Sequence, residues 1–169
     1  MFYTGNNLPG FIKLYPGIFI ILFIYIIALF IAKPIVNMPF VDTWSYAIVT
    51  RNFLDIGKIQ FVGCNAVNLV FHILWGALFC IFSGFSFISL HISTLVLSIL
   101  ASIVFYLIIK HLGFEEPKAT LASLLLIANP IFFINSFTYM TDVPFMCWML
   151  CSIFFYLKSL TEKGSIFLF

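Results

Sequence analysis

Between Lys13 and Lys33 the chain carries no charged residue. At 1.5 Å per residue, a helix over that stretch is about 30 Å long, the thickness of a bilayer's hydrocarbon. Comparable runs recur at Leu69–Phe82, Phe85–Ile109, Ala119 to about Thr138, and Val143–Leu157, and another begins near residue 165. Hydrophobic residues make up 63% of the 169 and charged residues 8%, with a mean hydropathy of +1.17. Soluble domains carry about 25% charged residues. A water-soluble fold of this size still exposes much of its surface, so it has nowhere to put so many apolar side chains, whereas lipid solvates them. The reading is an all-α, polytopic transmembrane chain. A cleaved signal peptide is a poor account of the first run, which exceeds the usual h-region of about 7–15 residues and lacks an A-x-A site. The net charge of +2, without a basic patch on a polar face, excludes nucleic acid as a partner.

Between the first two runs lies a mixed stretch, Pro34 to Asn68. Within it, Thr43–Ile56 has Tyr46, Val49, Phe53 and Ile56 on one helical face, with Ser45, Arg51, Asn52 and Asp55 elsewhere. Asp42 is placed as its N-cap and Gly57 as its stop. Such a helix lies along a membrane surface with its aromatic face inward.

The run Leu69–Phe82 is short for a span. If it crosses the membrane, Asp42 and Asp142 face opposite sides. If it lies along the interface, Lys13, Lys110, Lys118, Lys158 and Lys163 share one side and the two aspartates the other. Lysine-rich short loops are cytoplasmic, so the second arrangement is preferred. It gives a single domain with spans at about 14–32, 86–109, 119–138 and 143–157 and juxtamembrane helices at about 43–56 and 67–82. The N-terminus is then cytoplasmic. A chain that stops a few residues into a new apolar run reads as the N-terminal part of a longer protein.

Chemistry has few places to reside. There is no phosphate-cradling Gly-rich loop with Lys, no GxGxxG, no GxSxG and no His/Cys spacing for zinc. Cys64, Cys80, Cys147 and Cys151 form no CxxC pair and read as small hydrophobes. Glu115 and Glu116 read as solvated, His111 as a helix-end residue, and Arg51–Asp55 as a surface i,i+4 pair. Trp44 and Tyr46 suit an aromatic belt. Asp42, in Met-Pro-Phe-Val-Asp-Thr-Trp-Ser-Tyr, and Asp142, in Thr-Asp-Val-Pro, remain. Each is accounted for by helix capping alone, which is compatible with catalysis because a cap holds a carboxylate fixed. Three functions fit these features: a membrane transferase, a transporter or flippase fragment with acids on its path, or a structural subunit in which both acids only cap.

The order of features resembles the GT-C superfamily of membrane glycosyltransferases, in particular the protein mannosyltransferase and aminoarabinose transferase branch, glycosyltransferase family 39. That family opens with one span, followed by an acidic motif near Asp-Glu-x-x-Tyr and then a Gly some ten residues on. Asp42, Tyr46 and Gly57 match, while Thr43 replaces the second acid. Asn68–Phe79 and Ser83-Gly84 stand where the family has Pro-Pro-Leu-aromatic and Phe-Gly, without the prolines. Tyr106–Gly113 matches a basic turn, Asn129-Pro130 a proline-bearing helix, and Thr141-Asp142 a Thr-Asp motif. The resemblance implies transfer of a sugar from a polyprenyl-phosphate-linked donor to a lipid, glycan or protein acceptor at the extracytoplasmic face of the cell membrane. It implies inversion, with Asp42 as general base. Asp142 would position the acceptor or a divalent metal, and Tyr46 and Arg51 would contact substrate. The family's lipid-phosphate ligands lie mostly in later loops, so the resemblance implies a fragment inactive alone.

Overall fold

The computed structural model describes residues 15–40, 42–61 and 70–161. Lys13, Cys64, Asn68, Leu69, Lys163 and the run from 165 lie outside them. Seven helices occur among the described residues, and no strand: α1 Pro16–Ala32, α2 Thr43–Ile56, α3 Val70–Ser83, α4 Phe87–His111, α5 Glu116–Ala128, α6 Pro130–Asn135 and α7 Asp142–Thr161.

Helix α4 is the centre of the bundle and packs most extensively on α7, then on α5 and α3, while α1 lies on α5 and α4. Hydrogen bonds fix the directions. His111 Nε2 is 3.3 Å from the Leu157 carbonyl, so the C-terminal ends of α4 and α7 coincide. Gly17 N–H donates to Glu116 Oε1 at 2.8 Å, so α1 and α5 begin together, at that same end. Phe87 N–H donates to Asn37 Oδ1 at 3.0 Å, which puts the chain after α1 beside the start of α4. Lys110, Lys118 and Lys158 therefore stand at one end of the bundle. Asp42, α2, α3, the start of α4 and Asp142 gather at the other, with Lys33, Arg51 and Lys58.

Polarity is distributed as lipid requires. On α4, Ile88, Ile92, Val96 and Leu100 form an exposed stripe at four-residue spacing, while Ser93, Thr94, Ser98 and Ser102 are buried. A soluble helix would show the reverse. The buried serines of α4 are satisfied at close range: Ser93 donates to Leu90 O at 2.6 Å, Ser98 to Leu95 O at 2.8 Å and Ser102 to Ser98 O at 2.9 Å. Small hydroxylated residues let helices approach closely in a solvent that offers no hydrophobic drive between them. Tyr25 of α1 reaches across to Ser98 with its hydroxyl, 2.7 Å away. Phe30 and Ile31 on α1, Phe82 on α3 and Ile131 on α6 point outward, each more than 70% exposed. Among the described residues two helices, α4 and α7, are both long and apolar enough to cross a membrane, while α1 and α3 are apolar but shorter.

The fourth apolar run is not one helix. Pro130 lacks an N–H and crowds the residue before it, and Asn129 accordingly sits at φ −65°, ψ 119°. Its Oδ1 accepts from Ile131 N and Phe132 N and starts α6 afresh. Helix α7, in turn, runs four residues past the expected Leu157.

Glu116 also departs from expectation. Glu115 is solvated and pairs with Lys118 at the surface, 3.3 Å apart. Glu116 instead turns inward. It accepts from Gly17 N–H and the Tyr106 hydroxyl and pairs with Lys110 at 3.1 Å. Burial pushes its carboxyl up, but the bonds from Tyr106, Gly17 and Lys110 outweigh burial and hold it below the usual range. A carboxylate facing the free N–H groups of α1's first turn also complements the helix dipole. No spacing rule links residues 17 and 116, so the sequence alone gave no sign of this contact.

Candidate functional site

Two cores are separable. The larger fills the bundle, with Ile21 and Tyr25 of α1, Leu97 and Ala101 of α4, and Cys147 and Leu150 of α7 among its members. The smaller lies at the aspartate end and holds Tyr46, Ala47 and Val49 of α2, Ile73 and Cys80 of α3, Leu90 of α4, and Tyr139. Cys80 and Cys147 are buried and unbridged, in keeping with small apolar side chains. The helices α2 and α3 form a layer on that end of the bundle. Trp75 Nε1–H donates to Ser93 O at 2.9 Å, and Ser83 and Ser89 hydroxyls lie 2.9 Å apart, so α3 meets α4 within its first two turns.

Asp42 is the N-cap residue of α2 by position, and Gly57, at φ 75°, ends the helix in the left-handed conformation that glycine adopts without strain. The capping chemistry differs from expectation. The Asp42 side chain makes no cap hydrogen bond; its carbonyl accepts from Ser45 N at 3.0 Å and Ser45 Oγ at 2.8 Å. The carboxylate is thus exposed and uncommitted to the helix. Asp142 is exposed too, and it is not the cap. Thr141 O accepts the first helical bond, from Phe145 N at 2.9 Å, which makes Thr141 the cap and Asp142 the first residue of α7. There its charge complements the helix dipole.

Asp142 lines an open cleft of about 250 Å³ between α5–α6 and α7, with Asn129 and Asn135 as the other polar residues and Phe132, Val143 and Met146 among the apolar ones. Asp42 is not part of that lining. The two aspartates share an end of the bundle, but no hydrogen bond or ion pair joins them among the described residues. Nor is a divalent-metal donor set assembled around Asp142. No group of three or more His, Cys, Asp or Glu side chains suited to a metal occurs among the described residues. The Asn129 oxygen is spent on capping α6.

Tyr46 and Arg51 are placed differently from one another. Tyr46 is buried, its ring edge-on to His72 with centroids 5.6 Å apart. Arg51 is exposed, pairs with Asp55 at 3.7 Å and lies over the Phe85 ring at 5.5 Å. That cation–π contact pins α2 to the turn between α3 and α4.

Two residues had no assigned part. His72 is buried between Tyr46 and Tyr139, stacked on the latter at 4.0 Å. Its Nε2 faces the Tyr139 carbonyl at 3.4 Å, which as an acceptor selects the Nε2–H tautomer, and Nδ1 has no partner. Burial lowers its pKa to about 4, against a small raising effect from the Tyr139 carbonyl. Tyr139 is fully buried. Its hydroxyl donates to His72 O at 2.7 Å and lies 3.1 Å from Thr50 Oγ1.

A helical bundle clothed in apolar side chains, hydroxylated within, and carrying solvent-facing acids at one end has the character of an integral membrane protein. The family model for dolichyl-phosphate-mannose-protein mannosyltransferase matches residues 72–168, more than half of the chain, and the chain belongs to that family. The family is one of membrane-integral glycosyltransferases that draw on a lipid-linked sugar. No curated protein and no solved structure matches the chain. The matched segment includes His72, Tyr139 and Asp142; Asp42 precedes it.

Proposed function

We propose that the aspartate end of the bundle lies at the extracytoplasmic face and there transfers a sugar from a polyprenyl-phosphate donor to an acceptor hydroxyl, with Asp42 as general base. One observation carries the reading. Asp42 and Asp142 are both solvent-facing at helix starts on the end of the bundle opposite Lys110, Lys118 and Lys158. Lysine-rich ends of short loops face the cytoplasm. With α1, α4, α5–α6 and α7 as spans, α3 lies along the interface, in keeping with its partners in the first turns of α4. The N-terminus is then cytoplasmic and the membrane is the cell membrane.

In the proposed reaction the acceptor O–H gives its proton to the Asp42 carboxylate. The acceptor oxygen bonds to the anomeric carbon from the face opposite the donor phosphate. The bond from that carbon to the phosphate oxygen breaks, and the lipid phosphate leaves with the electron pair, so the configuration inverts. A carboxylate engaged in a cap could not rotate to meet an acceptor; that of Asp42 is free to do so. Asp142, with its cleft, holds the acceptor. The guanidinium of Arg51 contacts the departing phosphate, because an exposed pair with Asp55 is weak and readily exchanged for a phosphate oxyanion.

The test is Asp42→Asn in the full-length protein, in membranes supplied with a radiolabelled polyprenyl-phosphate sugar. Transfer should fall by about 10²–10⁴-fold, the usual contribution of a positioned base. Stability should stay within about 0.5 kcal/mol, since no capping bond is lost. Wild-type transfer by that variant would refute the assignment. Cysteines at Ile56 and Lys118 would check the sidedness: an impermeant maleimide should label the first from outside and not the second.

A further inference from the structure

We infer that Tyr139 is a positioning residue, tying the chain that leads into Asp142 to the helix that carries Asp42. The inference rests on the transfer reaction proposed above. Three features of the structure carry it.

First, Tyr139 stands three residues before Asp142, in a stretch with no helix of its own to hold it. Three residues span at most about 10 Å, so whatever fixes Tyr139 limits where Asp142 can go. Second, its partners belong to the other side of the site. Thr50 and Tyr46 lie on one face of α2 at four-residue spacing from each other, and Asp42 is the residue that precedes that helix. The Tyr139 hydroxyl lies 3.1 Å from Thr50 Oγ1, which is also 3.0 Å from Tyr46 O. The same hydroxyl donates to His72 O on α3, and the His72 ring lies between those of Tyr46 and Tyr139. Third, α3 is cut to receive the phenol. A Cβ on Gly76 would come within 2.1 Å of the Tyr139 oxygen, so only glycine leaves room there. His72 and Gly76 are one turn apart and together form the seat.

The arrangement is more than hydrophobic packing requires. A phenylalanine would fill the ring site, and the hydroxyl adds directed contacts to the His72 carbonyl and Thr50 Oγ1 within a mostly apolar core. Directed bonds fix a distance in a way that dispersion does not. The tie therefore sets the spacing between the proposed base and the acceptor-holding acid, while Tyr139 itself touches no substrate.

The experiment uses the full-length protein and Tyr139→Phe, which keeps the ring stack and removes only the directed bonds. Two readouts are taken. Spin labels at Ile48 and Phe145, both exposed, report the α2-to-α7 distance distribution in a cysteine-free background. Steady-state transfer reports kcat and KM separately. The expected result is a broadened distance distribution with kcat lowered at least about tenfold and the donor KM little changed, as misplacement of reacting groups predicts. A kcat unchanged by Tyr139→Phe would overturn the inference, as would a lowered kcat with an unaltered distance. If Asp42→Asn transfers sugar at the wild-type rate, the reaction reading itself fails and the positioning role falls with it; the spin-label distance then still reports the tie as a purely structural one. Gly76→Ala should reproduce both changes by displacing the phenol.

Discussion

Gly17 is a position where the packing leaves almost no room, and replacing it by alanine tests how the lysine end is held. The added Cβ would stand 2.2 Å from Thr120 Oγ1, 2.7 Å from Tyr106 Cε2 and 2.8 Å from Glu116 Oε1. Thr120 can rotate, at the cost of its 2.9 Å bond to Glu116 O. The Tyr106 ring cannot move freely, because it is fully buried and its hydroxyl is bound to Glu116. Relief then requires α1 to withdraw from α5, which stretches the Gly17 N–H bond to the carboxylate. Overpacking costs about 1–3 kcal/mol, and a hydrogen bond to a charged group contributes about 1.5–3 kcal/mol. The two overlap, so a loss of about 2–4 kcal/mol is expected. The assay is the SDS- or heat-induced unfolding midpoint of the full-length protein in micelles. Adding Thr120→Ala should recover part of the loss by removing the nearest atom. A Gly17→Ala protein as stable as wild type would refute the reasoning, as would one that Thr120→Ala makes worse by the full sum of the two effects.

Two further outcomes follow from the same geometry. His72 has a folded pKa near 4 against an ordinary 6.5, so its contribution is complete above about pH 6.5 and is lost as pH falls toward 4. At about 1.4 kcal/mol per unit that loss is on the order of 3 kcal/mol. Unfolding midpoints measured from pH 8 to 4 should fall through this window, and a His72→Gln variant should show a flatter profile. Asn129→Ala should cost about 1 kcal/mol through loss of the α6 cap; hydrogen exchange at the Ile131 and Phe132 amides should accelerate, while Asn129→Asp should preserve protection.

The sequence was legible where lipid imposes a simple rule. Uninterrupted apolar length located α1, α4 and α7, and the i,i+3/i+4 aromatic face with Asp42 and Gly57 at its edges located α2 nearly to the residue. The same rule blurred at Asn129-Pro130. Hydropathy averages over a single Asn, so the run read as one element although Pro130 forces a break and a new cap. The place of Tyr46 was left open for a different reason. An aromatic near a membrane surface suits a belt, a substrate platform or a core equally well, and only its packing against His72 and α3 decides. Glu116 and Tyr139 were illegible because their partners are remote: Gly17 lies 99 residues away and Thr50 lies 89. No local pattern encodes contacts at such distances. Asp42 and Asp142 stood out simply because acids are scarce in this chain.

The small core at the aspartate end has a consequence for the order in which the chain is made. Tyr46, His72 and Gly76 leave the ribosome well before Tyr139, whose ring and hydroxyl complete that core. Until residue 139 emerges, the α2–α3 layer presents a seat at Gly76 with nothing in it. The last piece supplied is also the piece that brings Asp142. Biosynthesis therefore closes the small core at the aspartate end in one late step, after α1, α4 and α5 are already available to form the bundle beneath it.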